Sequence, residues 1–199
     1  MKAACVQLCC GTDVAVNIEA AETLIRAAHK DGAVFIATPE NTNLMHSSTH
    51  ELFEKISDEE KCKTLQHFKA LARELEIDLL IGSLAVRYSD HKAANRSFLI
   101  GKDGQIKSQY DKMHLFDVDI NETETWRESD NYVAGKTPIL TSVGDMGVGL
   151  SICYDLRFAS LYKHYAKSGA HVLSVPAAFT TVTGAAHWRV LLRARAIET

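Results

Sequence analysis

The 199-residue chain lacks most of the features that would assign it at a glance. It has no excess charge of either sign: 22 Lys and Arg against 25 Asp and Glu leave a formal charge of -3. That provides no electrostatic footprint for nucleic acid or for an anionic membrane. No apolar run approaches the roughly 18 residues that a spanning helix needs. The N-terminus enters directly on an apolar stretch with no small-residue cleavage site, and so reads as a strand, not a secretory signal. The five cysteines (Cys5, Cys9, Cys10, Cys62 and Cys153) form no C-x-x-C unit, and the nine histidines include no H-E-x-x-H or H-x-H. A zinc site, or any other metal, is therefore not expected. An odd, unpaired cysteine count points to a reducing compartment, read as the cytoplasm. No G-x-G-x-x-G or G-x-x-x-x-G-K-[ST] loop follows a strand, which excludes the common nucleotide-binding signatures. Linkers, repeats and low-complexity segments are missing too.

What is present is an alternation of strand and helix signals. Lys2–Cys10, Ala33–Ala37, Asp78–Val86, Asn95–Ile100, Gln105–Tyr110, Met146–Ile152 and His171–Val175 read as strands. The runs AVFIA and DLLIGSLAV are apolar throughout, the mark of strands buried on both faces. Asn17–Lys30 places Ile18, Ala21, Leu24, Ile25 and Ala28 on one helical face. A capping box at Ser57–Glu60 predicts the start of a helix carrying Leu65, Phe68, Leu71, Ala72 and Leu75. Arg157–Lys167 and Ala185–Thr199 are further expected helices, and Gly101–Gly104 an expected hairpin turn. Asn41–Ile56 and 120–136 read as polar and irregular. The pattern is α/β, with a mixed sheet and helices on its faces.

Three reactive side chains stand at strand ends. Pro39 cannot donate to a sheet ladder, so Glu40 leaves the sheet there. Lys112 follows the hairpin. Cys153 ends the strand Met146–Ile152 just before a helical stretch, on a tight turn that lifts its sulfur out and faces it with backbone N–H groups. A helix N-terminus favours the thiolate. The other reading, a small buried hydrophobe, stands level with it on this stretch alone.

With these residues come six ordered segments: ATPENTN (37–43), YDKMHLFDVD (110–119), ESD (128–130), GLSICYDLRF (149–158), SVPAAFT (174–180) and TGAAHWRVLLRARAIE (183–198). Together they resemble the nitrilase superfamily of carbon–nitrogen hydrolases, closest to the branch containing deaminated-glutathione amidase and omega-amidase. The resemblance implies a four-layer αββα sandwich, a homodimer or higher homo-oligomer, no cofactor, and a triad of Glu40, Lys112 and Cys153 with Glu128 as a second glutamate beside it. It implies hydrolysis of an amide of a small carboxylate-bearing substrate through a cysteine thioester. An omega-amidase, an N-carbamoyl amino acid amidohydrolase or a nitrilase would use the same triad, and an inactive truncated member serving as a binding or oligomerisation module is the non-enzymatic alternative. Tyr154, Arg157, Phe179 and Thr180 are the candidates for substrate contact, Arg157 either for a carboxylate or for a structural ion pair. His114 and His187 are expected to hold loops and helices by hydrogen bonding. Residues 1–199 read as a single domain of this family that lacks its C-terminal part, since relatives continue past RARAIET. Ala159, where many relatives have proline, and Arg189, where many have glutamate, are departures.

Overall fold

In the computed structural model, residues 1–119 and 125–199 are described. The elements run β1 (Ala3–Cys5), α1 (Val14–Lys30), β2 (Phe35–Ala37), α2 (Thr49–Lys55), α3 (Lys63–Leu75), β3 (Asp78–Ser89), β4 (Lys92–Ile100), β5 (Ile106–Asp111), β6 (Asp117–Asp119) and β7 (Thr125–Arg127). They continue with β8 (Leu140–Val143), β9 (Met146–Gly149), α4 (Ala159–Lys167), β10 (Val172–Leu173), the single turn α5 (Thr181–Thr183) and α6 (Arg189–Glu198). A five-stranded sheet has the order β1-β2-β3-β4-β5, parallel through β3 and antiparallel after it. A second sheet, β10-β9-β8, and a two-stranded ribbon, β6-β7, complete the strands.

The layers follow from which faces are apolar. Side chains of a strand point alternately to opposite faces, and β3 is buried on both. Leu79 and Ile81 pack with Ala21 and Ile25 of α1 and with Leu65, Phe68 and Leu71 of α3. Leu80, between them, joins Phe35, Leu99 and Tyr110 against Val143 and Val148 of the second sheet and Leu150 and Ile152 just beyond β9. On the far side of that sheet, Leu161, Tyr162 and Tyr165 of α4 pack with Leu173, Leu191 and Leu192. Helices, sheet, sheet, helices: the fold is the four-layer αββα sandwich. The second sheet and α4 meet closely because β9 offers a glycine. A Cβ on Gly149 would sit 2.7 Å from the Tyr165 ring, whose hydroxyl donates to Leu150 O at 2.5 Å. Among the described residues no helix is long and apolar enough to cross a membrane.

Several boundaries differ from expectation for identifiable reasons. The first strand stops at Cys5, not Cys10: its partner β2 ends at Ala37, and Val6 N–H to Ala37 O is the last bond between them. The Asn41–Ile56 stretch contains a helix, α2, capped by Ser48 Oγ accepting from Glu51 N–H at 3.2 Å. The capping box at Ser57–Glu60 does not form. A short 3-10 turn (Glu59–Lys61) stands there, with Asp58 at its N-cap position and no side-chain cap bond. Glu59 reaches Arg96 at 2.6 Å and Gln109 at 2.8 Å, and α3 begins at Lys63. The helix expected from Arg157 is a 3-10 turn over Cys153–Arg157 followed by α4, and the last one is reached through a π-turn, Gly184–Trp188. Of the expected polar stretch at 120–136, residues 120–124 lie outside those described.

Candidate active site

The bend that carries Glu40 is set by an irregularity in the neighbouring strand. The β3–β4 register shifts between Ile81 and Leu84, a bulge that frees Gly82 and Ser83 to bond elsewhere. Gly82 N–H donates to Thr38 Oγ1 at 3.0 Å, and Ser83 Oγ accepts from Asn41 N–H at 2.9 Å. Ser83 also exchanges backbone bonds with Pro39 and Thr42. A Cβ at residue 82 would lie 2.1 Å from Thr38 O and 2.5 Å from Pro176 Cβ, so only glycine fits. We expect Gly82→Ala to destabilise the protein by about 3 kcal/mol or more, as overpacking against rigid backbone does, read as a lower thermal midpoint together with lost activity.

Lys112 immediately follows β5, and its backbone N–H donates to Asn95 O at 2.9 Å. Cys153 sits beyond β9 with φ of 49°, a left-handed conformation that non-glycine residues adopt at a cost and that clusters at functional sites. Two bonds hold it: Cys153 N–H to Pro176 O at 2.8 Å, and Ile152 N–H to Asp155 Oδ2 at 2.8 Å. The fully buried Asp155 also accepts from the Tyr110 hydroxyl at 2.7 Å and from the His114 backbone at 3.0 Å, and pairs with His114 Nδ1 at 2.6 Å. One carboxylate thus ties the nucleophile turn to both sides of the segment that carries Lys112.

These elements bring the charged heads together. Lys112 Nζ lies 2.9 Å from Glu40 Oε1 and 2.8 Å from Glu128 Oε2. Glu40 Oε2 accepts from Ala178 N–H at 2.8 Å. Asn95 Nδ2 donates to Glu40 Oε1 at 2.9 Å and to Glu128 Oε1 at 3.1 Å. Phe116 N–H secures the other oxygen of Glu128 at 2.7 Å. The Cys153 thiol is a hydrogen-bond partner of Glu40.

Ionisation follows from that arrangement. Burial pushes the Glu40 carboxyl up, but the Lys112 charge and hydrogen bonds from Lys112, Cys153 and Asn95 bring it below its ordinary value. Burial pulls Lys112 down, yet Glu40, Cys153 and Glu128 outweigh it and hold the ammonium protonated far into the alkaline range. Burial, reinforced by the Glu40 charge, drives the Cys153 thiol well up, and Lys112 offsets only part of this. The resting sulfur is a thiol. The expected stabilisation of a thiolate by a helix N-terminus is overridden, because the element there is a five-residue 3-10 turn beside a carboxylate.

The heads lie on the wall of a cleft of about 480 Å³. Tyr154, Phe179 and Thr180 line it, as do His46, Tyr132 and Arg127. Arg157 does not. It lines an adjoining hollow, where its guanidinium lies 5.6 Å from the Tyr154 ring centre and 3.1 Å from His187 Nδ1. The guanidinium on the cleft wall belongs to Arg127, tied to Asp119 Oδ1 at 2.5 Å. His114 and His187 do serve as hydrogen-bonding supports. Sequence pattern alone does not single out Asn95, Asp155, His46 or Tyr132. The available signal for Asn95 was a polar residue inside an otherwise apolar strand, since buried amides keep partners. Among the described residues no three His, Cys, Asp or Glu side chains gather as a metal would require.

The family model for carbon-nitrogen hydrolases matches residues 2–199. The deaminated glutathione amidase of Synechocystis sp. is 37% identical over 200 residues, spanning 98% of this chain and 73% of that protein. The chloroplastic omega-amidase of Arabidopsis thaliana is 36% identical over 96% of this chain and 53% of its own length. In three dimensions the chain is similar to the crystal structure of the NitFhit protein of C. elegans, with a TM-score of 0.88 and 32% identity over 96% of this chain and 47% of that one. The chain therefore spans about three quarters of the cyanobacterial amidase and about half of the other two.

Proposed function

The chain belongs to the carbon–nitrogen hydrolase family, and from that premise we propose that it is an amidase whose nucleophile is Cys153, whose general base and acid is Glu40, and whose oxyanion-stabilising cation is Lys112. The single observation that carries this reading is the meeting of a thiol, a carboxylate and an ammonium at one cleft, with Lys112 Nζ 2.9 Å from Glu40.

The chemistry follows the charges. The Cys153 thiol is unreactive until it gives up its proton, and Glu40, ionised and adjacent, takes it as sulfur bonds to the amide carbonyl carbon. The carbonyl π electrons move onto oxygen, where the Lys112 ammonium and the backbone N–H following Cys153 stabilise the oxyanion; one such donor contributes about 3–4 kcal/mol. Collapse breaks the C–N bond, Glu40 returns the proton to the departing nitrogen, and ammonia leaves a thioester on Cys153. Glu40 then takes a proton from water as that water attacks the thioester, and the carboxylic acid leaves with the thiol restored. Glu128 anchors Lys112 from the side opposite Glu40. Tyr154, Phe179 and Thr180 bound the space for the acyl group.

The substrate in this reading is a small amide that also bears a carboxylate, as the names of the cyanobacterial and plant relatives suggest. The five free cysteines suit a reducing compartment such as the cytoplasm. Exposed Val182, Val190 and Ile197 suit a contact between subunits, in keeping with a homodimer. The test is a panel of small amides, nitriles and N-carbamoyl acids, read by ammonia release and by mass spectrometry of acid-quenched enzyme. We expect ammonia from carboxylate-bearing amides and an acyl adduct on the Cys153 peptide; ammonia without any adduct would reject the thioester route.

A further inference from the structure

One amide in the site serves several partners and leaves itself unsatisfied. Asn95 is 1% exposed, in the middle of β4. Its Nδ2 donates to both glutamates, to Oε1 of each, and its backbone carbonyl accepts the Lys112 N–H. Its Oδ1 is buried with no hydrogen-bond partner among the described residues. An orphaned buried acceptor is costly, and each one in a native fold calls for a reason. The orientation follows from chemistry: turned around, the amide would aim its oxygen at two carboxylates.

Those bonds also sort the oxygens of Glu40. Oε1 accepts from two donors, Asn95 Nδ2 and Lys112 Nζ. Oε2 accepts from the Ala178 N–H, and that same N–H lies within hydrogen-bonding range of the Cys153 sulfur. Oε2, with that one donor against two on Oε1, is therefore the oxygen with acceptor capacity to spare.

We propose that Asn95 is a positioning residue for the reaction: its amide pins Glu40 and Glu128 around Lys112 by their Oε1 atoms and so directs the proton leaving Cys153 onto Glu40 Oε2. The assignment rests on the amidase reading for its role in turnover, but its physical content is separate. The groups facing Glu40 are Lys112, Cys153, Glu128, the Tyr132 hydroxyl and the Asn95 amide. Of these, Asn95 is the neutral donor that favours the ionised carboxylate at Oε1 without adding charge.

The test replaces the amide without changing its bulk, as Asn95→Leu, and follows the Glu40 side-chain carboxyl by ¹³C NMR titration, assigned through its loss in Glu40→Gln. We expect the Glu40 midpoint to rise by about one unit, a tenfold change in proton affinity. The acid limb of Cys153 alkylation by iodoacetamide should move with it. Rescue is not expected from Asn95→Asp, whose carboxyl adds a like charge or donates to one partner only. If Asn95→Leu does not fold, Asn95→Ser carries the same comparison. A folded variant with an unchanged Glu40 midpoint overturns the proposal, even if its activity is reduced, because packing alone would then explain the loss. A shifted midpoint in a protein that releases ammonia from no amide would instead reject the amidase reading and leave Asn95 in its role.

Discussion

Replacing Cys153 by alanine is expected to remove ammonia release by at least about 10⁴-fold, as loss of a covalent nucleophile does elsewhere, while the fold persists. The residue contributes little packing that alanine cannot keep: its position is held by the backbone bond from Cys153 N–H to Pro176 O and by Asp155 gripping the residue before it. A change in stability within about 1 kcal/mol is expected for trimming so small a side chain. Removal of the sulfur also relieves Glu40 of a hydrogen-bond partner without taking away Lys112, Asn95 or Ala178 N–H. Circular dichroism melting and a coupled ammonia assay measure both quantities on one preparation. Substantial turnover by the alanine variant would show that water attacks the amide directly, and the thioester route would be wrong.

Lys112→Met should do something different, because it strands two acids. Lys112 is 2% exposed and lies between Glu40 and Glu128. Taking away one partner of a buried charge set costs about 3–5 kcal/mol through the uncompensated charge it leaves. The remaining carboxylates are both largely buried and share the Asn95 amide, so one of them takes up a proton and its pKa rises. The sign of the pH dependence then inverts. In the wild type the Glu40 pKa is depressed, so its contribution is present above the unfolded value of about 4.3 and lost only as pH falls through the lower folded value. In the variant a raised carboxyl contributes stability that is complete below about 4.3 and lost as pH climbs through its folded value. Lys112→Met should accordingly melt higher at pH 5 than at pH 8, whereas Glu40 gives the wild type no such decline. Activity should fall by at least about 10²-fold with the oxyanion donor gone. Equal melting at the two pH values would mean that Lys112 does not hold these acids.

Glu40, Lys112 and Cys153 were legible in the sequence because each stands where a strand signal stops, and the ordered segments around them are specific. The layers were legible because DLLIGSLAV is buried throughout, whereas in AVFIA the burial holds for Phe35 and Ile36 but not for Val34, which precedes β2 and is exposed. What local reading missed was decided at a distance. In place of the box at Ser57–Glu60 stands a 3-10 turn whose Glu59 bonds to Arg96 and Gln109, 37 and 50 residues on. Arg157 ends the 3-10 turn Cys153–Arg157 and lies over Tyr154 against His187, 30 residues on, outside the cleft. Asn95 is hidden in the strand pattern, and its partners come from the end of β2 and the turn after β7. The neutral thiol was obscured by the same logic: a cap favouring charge is a local feature, and burial beside Glu40 is not.

The bond between Ala178 N–H and Glu40 spans 138 residues of chain. Closing so long a loop is among the slower events in folding. During synthesis the acid and the ammonium therefore leave the ribosome well before the segment that completes the surroundings of the sulfur. A chain made only as far as Lys112 carries the acid and the ammonium without the sulfur of Cys153 or the Ala178 N–H that completes the site.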